Sequence, residues 1–227
     1  MVESTANGPK TPATQPDWDQ IKKELIEQAE SIMKGWDGYT LQTEDKAKGL
    51  EARTFPQTDG LTGLVSKTIL KKMNLEHFEE LKKNQEYHMK TMNPAMTLFR
   101  LPDAGKYKCY HTSIKTPFFM SNRSYISVHY DFTKPDGTEV HIESTKGCEC
   151  FHQEYAAQIG KDVICEIPLA YSEYTPKEDG LHATGIVTFN LNGKVPNFFK
   201  NFTIKQTGGA ALILEEYIVD GKIPKMM

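Results

Sequence analysis

Apolar and polar positions along this chain follow two rhythms, and the switches between them mark its elements. Trp18, Ile21, Leu25, Ala29 and Ile32 recur at helical spacing with charges opposite. Asp17 precedes them as an N-cap and Gly35 follows as a stop, which predicts a helix over residues 18–33. Period-two alternation broken by turn residues then predicts strands over 36–42, 49–55 and 61–69. Asn74 opens a short amphipathic helix through Leu75, Phe78 and Leu81, and a further helical turn carries Tyr87 and Met89 up to Pro94. Strands follow over 96–101, 138–145, 162–174 and 181–191, with a strand-loop-strand hairpin over 107–132 at the centre. A long helix over about 195–219 ends the pattern, with Val195, Phe198, Phe199, Phe202, Leu212, Ile213, Tyr217 and Ile218 in a broad apolar stripe. Strands do not alternate with helices one for one, so the pattern predicts an α+β fold with an antiparallel sheet.

The central hairpin departs from the usual rule that loop tips are polar. Its tip carries Phe118, Phe119 and Met120 in a row beside Pro117, and three bulky apolar residues on a surface loop need something apolar to meet. Parity places Tyr110, Thr112 and Ile114 on one face of the first strand. On the second strand, Tyr125, Ser127, His129 and Asp131 share one face, while Ile126, Val128, Tyr130 and Phe132 share the other. From the residues alone, solvent is the simpler destination for that polar face. Gly208-Gly209 falls inside the last helix, where each glycine costs up to about 1 kcal/mol relative to alanine, so a hinge or a close backbone approach is expected there.

Composition narrows the function. The 227 residues suffice for one domain with a sizeable core, and a net charge of -3 gives no basic footprint for nucleic acid. No run reaches the roughly 18 apolar residues of a membrane span, and the N-terminus lacks the pattern of a signal peptide. Cys109, Cys148, Cys150 and Cys165 are not spaced as a disulfide framework, which points to a reducing, cytoplasmic setting. Residues 1–16, rich in Thr, Pro, Ala and Gly, read as a flexible tail, and a protein partner is the expected cause if that tail is held in place.

Cys148, Cys150 and His152 alternate and suit zinc chemically, but Gly147 and polar neighbours suggest a loop and no fourth ligand is evident, so no metal site is expected. The chain has no nucleophile elbow, phosphate loop or zinc-protease motif, and neither a catalytic residue nor a cofactor is expected.

The stretch Pro117-Phe118-Phe119-Met120-Ser121-Asn122-Arg123, followed by an aromatic-rich strand, resembles the signature of the START domain, the StAR-related lipid-transfer family of the helix-grip superfamily. The segment from Thr188 through Gly193-Lys194-Val195-Pro196 to Phe199 is similar to that family's last strand, turn and lid helix. The resemblance implies a START-like domain over 17–227, a curved antiparallel sheet wrapped around a long C-terminal helix with an internal hydrophobic cavity. It implies binding of a single lipid, whether phospholipid, sterol or sphingolipid, and its transfer between membranes by transient peripheral contact without a chemical step. Carried over residue by residue, Tyr110, Thr112, Tyr125, Ser127, His129, Phe198 and Phe202 would line the cavity. Phe118, Phe119, Met120, Val195 and Pro196 would form the gate and membrane contact. In sterol-binding members an inward ion pair falls on the positions of Tyr110 and His129, and Ser124 stands where the family usually has Asp, so the ligand class stays open. Two alternatives go with the same fold: an accessory subunit without cargo, and a helix-grip enzyme using His129 with Asp131 as its acid-base pair.

Overall fold

The structure, a computed structural model, describes residues 16–57 and 62–223, with the backbone alone for 62 and 197–202. The expected tail over 1–16 lies outside the described residues except for Pro16. Helix α1 (Trp18–Lys34) starts where Asp17 Oδ1 accepts the Gln20 N–H at 3.0 Å and ends where the Gly35 N–H donates to the Ile32 carbonyl at 3.0 Å. The expected strand over 36–42 begins later. Residues Trp36–Gly38 form a 3-10 turn, and the Tyr39 hydroxyl reaches back to the Ile32 carbonyl at 2.9 Å, folding this segment onto α1 before β1 (Thr40–Asp45) begins.

The remaining elements are β2 (Leu50–Phe55), β3 (Thr62–Leu70), α2 (Leu75–Lys83), α3 (Gln85–Met92), β4 (Met96–Ala104), β5 (Tyr107–Ile114), β6 (Arg123–Thr133) and β7 (Glu139–Ser144). They continue with α4 (Glu149–Glu154), α5 (Ala156–Ile159), β8 (Val163–Ile164), β9 (Glu166–Lys177), β10 (Gly180–Asn190), α6 (Asn197–Gly208) and α7 (Ala210–Asp220). Among the described residues there is one sheet of ten strands, ordered β1-β2-β3-β10-β9-β7-β6-β5-β4, with β8 adding a short parallel bridge to β6. All other neighbours pair antiparallel.

Strand parity gives the sheet two faces. Val65, Val128, Tyr130, Ile142, Tyr171 and Ile186 form one core with Trp18, Leu25, Ala29 and Ile32 of α1. The opposite face takes α6 and α7. Leu70, Tyr174, Leu181 and Ala183 pack there with Leu212, Leu214 and Ile218, joined by Met73, Phe78 and Leu81 around α2.

The single long helix expected over 195–219 is two helices. They meet at Gly209, whose φ of -97° and ψ of 6° leave the helical region. The reason lies under Gly208, where a Cβ would stand 3.0 Å from the Ala52 Cβ, so the helix backbone makes its close approach to β2 there. Residues 148–152, expected as a loop, instead enter α4, with Cys148 buried and Cys150 exposed rather than sharing a strand face. Among the described residues, no three His, Cys, Asp or Glu side chains converge as metal ligands, and no helix is long and apolar enough to cross a membrane.

Candidate ligand-binding site

On the face turned to the C-terminal helices lies a pocket of about 430 Å³. Its floor is β3, β9 and β10, and its walls are α3 and the start of β4 on one side and α6 and α7 on the other. The floor is hollow because its residues are small: Ser66, Ala170, Ser172, Ala183 and Gly185 all line it. Met89, Met92 and Met96 supply the α3–β4 wall, and Ala210, Ala211, Ile213 and Leu214 the α7 wall. Among the described residues no charged side chain lines the pocket; its polar groups are hydroxyls and the amides of Asn93 and Gln206. None of these residues was among the expected site residues, although Met89 and Ile213 were read as helix positions and the alternating small residues 170/172 and 183/185 on two neighbouring strands were a visible signal.

The site residues expected on the hairpin occupy the same face further along. Register sets Tyr110 opposite Ser127, Thr112 opposite Tyr125, His129 opposite Glu143, and Glu143 opposite the pocket residue Ala170. Tyr110, Thr112, Tyr125, Ser127 and His129 are all buried and stand beside the pocket rather than in its wall. The expectation of solvent for this polar face is therefore corrected: from Arg123 to Tyr130 both faces of β6 are covered.

What stabilises a polar face in the interior is a set of internal partners. Ser127 Oγ donates to Glu143 Oε1 at 2.9 Å, and His129 Nε2 lies 3.3 Å from Ser127 Oγ and 3.6 Å from Glu143 Oε1. The Tyr110 and His129 rings pack with centroids 4.6 Å apart. Burial pushes the Glu143 carboxyl up, yet the His129 and His141 imidazoles and the Ser127 hydroxyl outweigh it and hold the group at about 2. Burial draws the His129 imidazole below its ordinary range, against the pull of Glu143. The pair thus keeps an ionised carboxylate and resists protonation of the ring. Glu143 is the member of this cluster that sequence reading missed, since its neighbour His129 lies fourteen positions away and only strand pairing joins them. Asp131 bonds His141 at 2.6 Å, so the acid-base pair of His129 with Asp131 gives way to two separate pairs. Among the described residues, His129 Nδ1 and Thr112 Oγ1 of this cluster are buried without a hydrogen-bond partner.

The hairpin tip is a tight turn in which the Met120 N–H donates to the Pro117 carbonyl at 2.8 Å. Its two central residues point outward: Phe118 is fully exposed and Phe119 half exposed, with rings edge-on at 5.6 Å, whereas Met120 is buried. Val195 and Pro196 are half-buried in the turn before α6. Arg123 joins tip and turn. Its buried guanidinium donates to the Leu191 carbonyl at 2.7 Å, to the Asn192 carbonyl at 3.0 Å, and to the Ser121 carbonyl. Ser124 bonds His111 and the Thr112 carbonyl. Phe198 and Phe202, the remaining expected cavity residues, have side chains outside the described set.

Comparison with known proteins places the fold. No protein-family profile and no curated protein sequence matches this chain. Human StAR-related lipid transfer protein 5 is similar in structure with a TM-score of 0.70 at 13% identity, over 89% of this chain and 96% of that one. Human STARD10 gives 0.65 at 12% identity over 81% and 74%. A STAR-related lipid transfer protein fragment from Xanthomonas axonopodis gives 0.59 at 16% identity over 80% and 98%. A sheet of this order, gripping C-terminal helices on the face opposite α1 and matched in several such domains, identifies the architecture of this chain as the α+β helix-grip fold of START domains.

Proposed function

We propose that this protein binds one neutral, mainly apolar lipid in the pocket between the sheet and its C-terminal helices, and carries it between membranes without chemistry. The observation that carries the reading is the pocket itself: about 430 Å³, walled by methionines, aliphatics and small residues, with no charged side chain in its described lining. That volume lies in the lower part of the range of roughly 300–1,000 Å³ that accommodates a compact organic ligand. It favours a polycyclic or single-chain molecule over a two-chain phospholipid with a charged head.

The polar end of such a ligand would be read by the neighbouring cluster of Tyr110, Thr112, Tyr125, Ser127 and His129. His129 Nδ1, which has no hydrogen-bond partner among the described residues, is placed to bond it. The exposed Phe118, with Phe119 beside it, is suited to enter a bilayer surface, with Val195 and Pro196 flanking it. Burial contributes about 0.8 kcal/mol per methylene relative to water, so a cargo leaves only toward an apolar acceptor, which membrane contact supplies. The lipid-transfer names of the similar domains fit this reading. We assign residues 17–227 to one such domain, acting as a peripheral carrier in the cytoplasm.

The test is native mass spectrometry of the protein from its own cells, followed by extraction and identification of any bound lipid. One neutral lipid per chain is the expected result. An empty chain would overturn the carrier reading, and a stoichiometric charged phospholipid would overturn the assigned ligand class.

A further inference from the structure

The proposal that follows rests on the pocket taking a ligand, and concerns where that ligand enters. We propose that the entrance lies between α3 and α7, with α3 as a flap and the hydrogen bond between His88 and Tyr217 as its latch.

The two sides of this seam differ in how they are held. Helix α7 is a fixed post. The Glu215 carboxylate, buried, accepts the backbone N–H groups of Lys72 at 2.7 Å and Met73 at 3.1 Å, and Lys72 Nζ meets Asp220 at 2.8 Å. Leu212, Leu214 and Ile218 add packing against Leu70, Met73 and Leu81. Helix α3 has no such hold. None of its eight residues is buried, and Asn84 before it forms no side-chain cap. Its inner side, Met89 and Met92, is nonetheless pocket wall, so displacing α3 opens the pocket directly.

Across the seam, His88 Nδ1 lies 3.0 Å from the Tyr217 hydroxyl, and the two rings meet edge-on at 5.7 Å. The latch is poised rather than locked. In the closed state His88 Nε2 is buried with no partner among the described residues, and opening returns it to water, which offsets part of the loss of the Tyr217 bond. The hairpin tip, which leaves β5 beside the C-terminal end of α3 where the Lys115 N–H donates to the Ala95 carbonyl at 2.7 Å, is stapled instead, since Arg123 ties it to the turn before α6 through three carbonyls. The tip therefore docks on the membrane while exchange proceeds at α3, a division of labour that the tip-centred gate expected from sequence does not contain.

The experiment uses the full chain and the neutral dye Nile red. In Tyr217→Phe, which removes the latch hydroxyl and keeps the ring, stopped-flow entry and exit of the dye should both quicken about five- to tenfold with little change in their ratio. Hydrogen exchange should quicken over residues 85–92 and not over 210–220. His88→Cys with Tyr217→Cys, joined by a short bis-maleimide in a Cys150→Ser background, should slow both rates. Dye that binds wild type with rates unaltered by either change would overturn the latch and leave the ligand reading standing. Wild type that takes up no dye would overturn both.

Discussion

On β5, β6 and β7 the sheet face turned to the C-terminal helices carries Tyr110, Tyr125, His129 and Glu143, whereas on β3, β9 and β10 the same face carries Ser66, Ala170, Ser172, Ala183 and Gly185. The first region is filled by its own side chains, and the second leaves a pocket of about 430 Å³. Protein interiors pack to the density of organic crystals, so a row of small residues under a helix that cannot descend further leaves space for another molecule. The helix cannot descend because Gly208 already touches β2. Filling a face with polar side chains requires partners in the interior, and Ser127 Oγ, His129 Nε2 and Glu143 supply them to one another. The comparison teaches that side-chain size, more than polarity, divides binding space from core along one continuous face.

The largest test is to make the hollow region resemble the filled one. Gly185→Leu places a side chain over the pocket floor, where its Cβ would lie 3.1 Å from the flexible Ser66 hydroxyl. Nile red affinity should fall more than tenfold while the thermal midpoint holds or rises; retained affinity would place the ligand elsewhere. The converse change strips the filled region. Glu143→Leu leaves Ser127 and His129 without their carboxylate partner and should lower unfolding free energy by roughly 2–3 kcal/mol in urea, with dye affinity within about threefold of wild type.

Acid sharpens the same contrast. The folded-state value of Glu143, about 2, lies below its ordinary 4.5, so its contribution to stability is complete above about pH 4.5 and is lost as pH falls toward 2. His129, lowered by burial, is protonated more readily in the unfolded chain, and so erodes stability as pH falls below its ordinary 6.5. Denaturation followed from pH 7 to 3 should show this slope in wild type and a shallower one below pH 4.5 in Glu143→Gln.

Smaller effects fall outside both regions. Phe118→Ser removes a ring that is fully exposed, so stability should shift by no more than about 0.5 kcal/mol while lipid transfer between vesicles slows severalfold. Equal transfer rates would remove the tip from the membrane step. Gly209→Ala, whose Cβ would meet no described atom nearer than 3.9 Å, should gain about 0.4–1 kcal/mol in thermal denaturation. Gly208→Ala should gain nothing, because its Cβ presses on Ala52.

The sequence by itself determined the elements that depend on neighbours along the chain. Helix α1 with its Asp17 cap, the Asn74 cap of α2, the strands of the hairpin and the apolar tip were legible, because caps, turns and periodicity are short-range physics. The motif from Pro117 to Arg123 was legible too, and Arg123 emerges as the structural tie between tip and turn. Tertiary structure alone decided which part of the inner face is solid and which is hollow. That division depends on Ala170 meeting Glu143, Gly185 meeting Ser66 and Gly208 meeting Ala52 across long sequence separations. The glycine pair at 208–209 already marked the weak point of the last helix; tertiary structure set how closely it meets β2 and brought His88 to Tyr217. Space between elements is a property of how closely they approach, and no local pattern encodes that distance.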